Sequence, residues 1–337
     1  MSVIRSIDVG YGGSKFTVGV KSSEPVCEIF ESIVGVNSPA PQGDVRPHDT
    51  VVSVIDGVRY ECGRDGDVVV AKNEGRLEGV EYPRSPQYMA LVNAALAYMD
   101  EEVIDLLMLG LPNSTYSSLK DALRDSMVGV HKFLRVNPKT GREEEYQVEV
   151  KKVVVVRQAL GGLIDVATID DSKFEGLESE DSLIVDVGHY TLDWVYAKGM
   201  RPVEKLCDAS NGHGASAIYK AIQAKIQSVT GETVDVNKIA ARYSSGAPGV
   251  KVNGRLVEFS NFEADIKGVI RSALQNMLQK VDSSATMDNI VVVGGAAKDY
   301  AEVLADITKR DDILIPADPR FSIVRGFQII GMDINAR

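Results

Sequence analysis

The sequence predicts an α/β fold of two related domains, each with a mixed β-sheet flanked by helices. Three observations carry this expectation. Residues 4–20 hold two strand-like runs, 3–8 and 15–20, joined by a turn containing Gly10, Gly12 and Gly13. Residues 183–194 repeat the design with an apolar strand, Asp186-Val187-Gly188, a polar turn and a further strand. Asp8-Val9-Gly10 and Asp186-Val187-Gly188 put one copy in each half of the chain, and repetition on this scale points to duplicated domains. The third observation is the apolar strand 289–293, which runs into Gly294-Gly295 and then a helix, as close backbone approach to a ligand requires.

The first turn has the composition of an anion cradle. Gly10, Gly12 and Gly13 carry no Cβ and can take positive φ, so successive N–H groups can turn toward one point. Asp8 closes the strand, where its carboxylate can hold a hydrated Mg²⁺, and Lys15 returns a positive charge to the same place. By itself the stretch reads equally as a plain glycine-rich hairpin, and a single Asp there as a turn cap. The second copy favours the ligand.

The remaining elements follow in order. Residues 26–36 read as a third strand, and 37–84 as a small β-rich insertion with short runs at 51–55, 58–62 and 68–71. Ser85-Pro86 starts a helix through Met99, a capping hydroxyl followed by proline in the first turn. An apolar strand at 105–111, a helix at 117–128 and a hairpin around residues 137–141 lead into the run 145–156. A helix then opens at Gln158, and the acidic stretch 170–181 reads as a loop. Asn211-Gly212-His213-Gly214 leads into a helix over 215–229, ended by Thr230-Gly231, with another helix near 236–243. Asn253-Gly254 between apolar runs signals a two-residue hairpin. Ser260 and Glu263 form a capping box before a long apolar helix face from Phe262 to Val281, and a last helix covers 321–332.

In this order and spacing, the three glycine-bearing segments resemble the phosphate-1, phosphate-2 and adenosine motifs of the actin, sugar kinase and heat-shock chaperone superfamily. Within it, the chain is similar to the bacterial plasmid-segregation actins of the ParM/StbA type and to archaeal actin homologues. The resemblance covers most of the chain and implies an actin-like fold with a nucleotide cleft between two domains. The first would span residues 1–157, with the insertion at about 37–84 and a closing helix at about 322–337; the second would span 158–321. It implies ATP or GTP with Mg²⁺, held by Asp8, Gly10, Tyr11, Gly12, Gly13, Ser14 and Lys15 on one side. Gly188, His189 and Thr191 would act from the other side, with Gly214, Gly294, Gly295 and Ala296 nearer the nucleoside. Asp8 and Asp186 would reach the metal through water, Asp186 the more directly. Gln158 stands where actin-like proteins place the residue that orients the attacking water. Gln is no strong base but can orient water, so slow hydrolysis gated by conformation is expected.

The implied function is a nucleotide-dependent filament of identical subunits that segregates DNA through a basic adaptor protein. The alternative is a small-molecule kinase of the same superfamily, which needs an acceptor base near the end of the 105–111 strand. The chain has Leu111-Pro112-Asn113-Ser114 there, with no carboxylate. A chaperone ATPase would carry a peptide-binding domain beyond the closing helix, whereas this sequence stops at Arg337.

Composition agrees with a cytoplasmic globular protein: 44% of the 337 residues are hydrophobic and 25% charged. No apolar run has the length of a membrane span, the N-terminus enters a strand, and residues 333–337 do not form an amphipathic anchor. Cys27, Cys62 and Cys207 are too few and scattered for a disulfide frame, and the four histidines show no metal spacing. A net charge of −11 argues against direct nucleic-acid binding over a broad surface.

Overall fold

The computed structural model describes residues 2–37, 48–69, 81–137, 139–168, 177, 179–281 and 287–336. The chain divides into two compact units, Met1–Asp165 with Ile323–Arg337, and Val166–Ser322.

The first unit contains two sheets. In one, β1 (Ile4–Val9) pairs antiparallel with β2 (Gly13–Lys21), which pairs in turn with β3 (Glu24–Glu31). On the other side β8 (Leu106–Leu111) lies parallel to β1, and β11 (Val153–Arg157) parallel to β8. Every residue of β8 is buried, as its unbroken apolar sequence requires of a central parallel strand. The other sheet has six strands in the order β4 (Gly35–Val36), β6 (Val58–Gly63), β5 (Thr50–Ile55), β9 (Gly129–Val136), β10 (Glu143–Val150) and β7 (Val103–Ile104). The short α1 (Gly66–Val69) follows β6. Helix α2 (Pro86–Met99) packs on strands of both sheets, with Ser85 accepting from the Tyr88 N–H as its cap. Helices α3 (Asn113–Met127), α4 (Gln158–Ala167) and α9 (Ser322–Ala336) complete the unit. Where α4 and α9 meet, a Cβ on Gly326 would stand 1.9 Å from the Gly161 carbonyl oxygen, so the crossing needs glycine. Arg325 closes it with a two-pronged ion pair to buried Asp165, at 2.7 and 2.6 Å.

The second unit repeats the central motif. β12 (Asp181–Val187) pairs antiparallel with β13 (Thr191–Lys198) and parallel with β18 (Asn289–Gly294), while β14 (Arg201–Pro202) and β15 (Asp208–Asn211) both pair with β13. Leu183, Val185, Leu192 and Trp194 bury one face against α5 (Ala215–Thr230), α7 (Glu263–Lys280) and α8 (Ala297–Thr308). Helix α6 (Val236–Ser244) precedes the hairpin of β16 (Gly249–Val252) and β17 (Arg255–Glu258). At the tip of that hairpin Asn253 and Gly254 both have positive φ, 47° and 79°, the geometry their sequence signals. No helix among the described residues is long and apolar enough to cross a membrane.

Several local expectations change. The run 26–36 is two strands in different sheets, β3 and β4. Of the strands anticipated as a small insertion, β5 pairs with β9 and β6 with β5, so the two belong to the six-stranded sheet. Residues Val68 and Val69 end a helix, not a strand, and residues 70 and 71 lie outside the described residues, as does most of the acidic stretch. The run 145–156 breaks at Lys151-Lys152, because β10 belongs to one sheet and β11 to the other. Ser260 and Glu263 make no capping box. A 3₁₀ turn over Phe259–Phe262 intervenes, and no side chain caps α7.

Candidate functional site

The site residues expected from the sequence fall into two sets, one in each unit. In the first unit, antiparallel register sets Asp8 directly opposite Lys15. Opposite residues point to the same face, and Lys15 Nζ lies 2.8 Å from Asp8 Oδ2. The other carboxylate oxygen accepts from Gln158 Nε2 at 2.7 Å. Asp8 and Gln158 are 2% and 8% exposed, so both contacts are sheltered from water. Gln158 fits there because position 110 is glycine: a Cβ would stand 2.9 Å from Gln158 Cγ and 2.3 Å from Phe327 Cζ.

The turn above Asp8 is tight. Gly10 N–H donates to the Gly13 carbonyl at 3.2 Å. None of Gly10, Gly12 and Gly13 takes positive φ, contrary to the expectation from composition. At position 13 the glycine serves close packing, since a Cβ would come within 2.9 Å of the Ile29 side chain. The Ser14 hydroxyl hydrogen-bonds Ser32 at 3.0 Å, and the Tyr11 ring stacks on Tyr82. Deeper in the same sheet, Gln328 of α9 accepts from Thr17 at 2.8 Å and donates to the Ile4 carbonyl at 3.1 Å. This ties the closing helix beneath the turn.

In the second unit the equivalent register sets Asp186 opposite Asp193, an acid where the first unit has lysine. Asp193 is 3% exposed, and its Oδ1 has no hydrogen-bond partner among the described residues. Burial pushes its carboxyl up to about 6, partly offset by a hydrogen bond from Thr191 and aided by the charge of Asp208. Gly188 leads into Thr191 within one tight turn. Gly214 is compressed against it, where a Cβ would lie 2.5 Å from the Gly188 carbonyl oxygen. The first N–H groups of α5 donate to that turn, Ala215 to Gly188 and Ser216 to His189. Gly214 therefore packs the turn, and the α5 terminus is closed by backbone. The His189 ring lies 6.0 Å from that of Tyr219. Gly294 has φ 98° and abuts the Val187 carbonyl, at 2.3 Å from a built Cβ, whereas Gly295 has open space around its own. Ala296 is the N-cap of α8 and offers no side-chain cap, which leaves the helix terminus with the donor-rich character that suits an anion or polar ligand.

These residues suit a hydrated divalent cation with a phosphate chain. Two carboxylates on one face of one hairpin, one with an orphaned oxygen, match the oxygen ligands that Mg²⁺ prefers through water. Among the described residues no three His, Cys, Asp or Glu side chains form a metal cage. The sequence reading passed over Asp193. It stands at the same offset from Asp186 as Lys15 from Asp8, and that offset was the available signal.

Two family models match the chain. One, actin-like proteins N-terminal domain, covers residues 6–161; the other, archaeal actin homologue MreB-like, C-terminal, covers residues 184–306. The chain belongs to the actin-like proteins. No curated protein sequence matches this actin-like chain. Solved structures do. The archaeal actin homologue Ta0583 in complex with ADP aligns with a TM-score of 0.76 at 18% identity, over 98% of this chain and 99% of that one. The actin-like protein Alp7A gives 0.77 at 14%, over 100% and 97%. A subunit of the 15-stranded ParM filament from Clostridium botulinum gives 0.71 at 18%, over 99% and 100%. At such identities these likenesses concern the fold.

Proposed function

We propose that this actin-like protein is a nucleotide-dependent, filament-forming ATPase. In this reading each unit contributes one nucleotide-binding turn, at Asp8 in the first and at Asp186 in the second. The observation that carries this reading is the pair of matched strand–Asp-x-Gly–turn–strand motifs with opposite cross-strand partners, Lys15 in one and Asp193 in the other. Lys15 and the backbone of Gly10–Ser14 suit the phosphate oxygens, and the Asp186–Asp193 face suits the hydrated cation. When bound, the Mg²⁺-nucleotide supplies the phosphoanhydride that is cleaved. Gln158 does the rest by position. Its Nε2 is engaged by Asp8, which leaves Oε1 as the atom that accepts a hydrogen bond from the attacking water and so orients it.

Assembly is supported by full-length likeness to a filament subunit and by an archaeal homologue with bound ADP. Head-to-tail contacts between identical subunits generate open helices, and the nucleotide state can bias them. A role in segregating plasmid or other DNA in the cytoplasm would need a basic adaptor, because the net charge of −11 suits no direct DNA contact. The test combines phosphate release with sedimentation and negative-stain microscopy in ATP, GTP, ADP and no nucleotide. Filaments above a critical concentration in Mg²⁺-ATP or Mg²⁺-GTP, with hydrolysis abolished in Asp186→Ala, are expected. Undiminished hydrolysis in Asp186→Ala, or a monomer at every concentration with turnover stimulated by a small hydroxylated substrate, would overturn the proposal.

A further inference from the structure

Tyr88, in the first turn of α2, is 2% exposed, and its hydroxyl has no hydrogen-bond partner among the described residues. A buried hydroxyl without a partner is unfavourable, and phenylalanine would fill the same space without that penalty. The ring is fixed in place. Its backbone N–H donates to Ser85 Oγ at 3.1 Å, and it makes a T-shaped contact with the Tyr82 ring, with centroids 5.5 Å apart and planes at 86°. Tyr82 in turn stacks on Tyr11, the aromatic residue of the Asp8 turn, at 4.9 Å and 25°. Three rings therefore run from the turn into the start of α2. Burial, then Tyr82, then the charge of Asp8 hold the Tyr88 phenol un-ionised at any physiological pH, so it can only act as a neutral donor or acceptor.

We infer that Tyr88 is a positioning residue for the Asp8 turn, its hydroxyl donating to that turn, directly or through a water, when the turn holds a phosphate. The inference rests on the nucleotide reading above. It explains why a hydroxyl stands where packing alone favours phenylalanine: the bound turn supplies its partner. Tyr11 and Tyr82 transmit the movement, since a turn that closes on an anion carries the Tyr11 ring with it.

The test is Tyr88→Phe, which keeps the ring and removes one oxygen. Thermal melting is followed without nucleotide and with saturating Mg²⁺-ATP, and affinity is measured with a fluorescent ATP analogue. A ligand that binds only the folded state raises the melting temperature in proportion to its affinity. The nucleotide-free variant should melt at or above the parent temperature, while its affinity falls about five- to tenfold and its nucleotide-induced shift shrinks. A purely structural hydroxyl would do the opposite, lowering the nucleotide-free melting temperature and leaving affinity intact, and that result overturns the inference. Equal affinity and equal shift in parent and variant overturn it too, with the nucleotide reading left standing. A parent protein that neither Mg²⁺-ATP nor Mg²⁺-GTP stabilises or binds removes both.

Discussion

Replacing Gln158 with alanine separates its two tasks. Its Nε2 donates to buried Asp8 at 2.7 Å, with Lys15 on the other oxygen. A hydrogen bond to a charged group contributes about 1.5–3 kcal/mol. For a unit of this size that corresponds to a loss of about 3–12 °C in melting temperature. Turnover should fall further, about 10- to 100-fold, because the atom that orients water is gone. Nucleotide affinity should change little, since an oriented water matters in the transition state and not in the ground state. Filaments of the variant should then outlive those of the parent. Gln158→Glu makes a sharper control. It sets a second carboxylate beside Asp8, so the variant should be destabilised at pH 7 and recover as acid protonates one of the pair. Single-turnover phosphate release and equilibrium binding on the same preparations decide the matter. Equal losses in binding and turnover would refute the water-orienting role and leave Gln158 as a support for Asp8.

Asp193 gives a pH signature. An aspartate moved from 3.8 to about 6 by burial carries about 3 kcal/mol against its ionised form. Because the folded-state value is raised, stability is complete below about pH 4, declines as pH rises through 6, and is level above that. Asp193→Asn should abolish that decline in denaturant melts run without divalent cation; an unchanged pH profile would contradict it. At the helix crossing, Arg325→Met strips the fork from buried Asp165 and should cost about 3–5 kcal/mol. Arg325→Lys should fall between, since one ammonium cannot replace two parallel bonds. Chemical denaturation reads both, and a loss below about 1 kcal/mol would show that the pair is only a surface contact.

The parts of the fold that were legible in the sequence are those fixed by local chemistry. Ser85 caps α2 because a hydroxyl before proline can reach the Tyr88 N–H, and Asn253-Gly254 turns a hairpin because both residues tolerate positive φ. The hairpin at Asp8 and its copy at Asp186 were visible because a strand–turn–strand motif is local too. What was hidden depends on distant partners. Nothing within residues 145–156 says that the chain changes sheets at Lys151; β9 on one side and β8 on the other determine it. The three glycines of the first turn invited a positive-φ reading, yet at Gly13 the constraint comes from Ile29 on β3. The capping box failed for a similar reason. Phe259 and Phe262 are both buried, and the 3₁₀ turn that places them displaces the helix start beyond reach of Ser260.

The duplicated motif also shows how one scaffold can take two roles. β1 and β12 are each flanked by an antiparallel strand of their own hairpin and a parallel strand from later in the chain, β8 and β18. Asp8 and Asp186 hold the same penultimate position on these strands. The scaffold alone would make them equivalent, and the residue across the ladder makes them differ. Lys15 and Gln158 occupy both oxygens of Asp8, so that carboxylate has its charge balanced within the protein and serves to hold the lysine and the amide in place. Asp186 faces Asp193, a second acid whose burial already disfavours its charge, so this face gains most from a cation supplied by a ligand. On the function proposed above, the metal-bearing role would fall to the second unit, and the positioning of phosphate and water to the first. Exchanging the partners tests this assignment. Asp193→Lys should balance Asp186 internally and remove the dependence of nucleotide affinity on Mg²⁺, whereas Lys15→Ala should weaken nucleotide binding and keep that dependence. Titrating nucleotide binding across a Mg²⁺ series distinguishes the two, and the reverse pattern would assign the metal to Asp8.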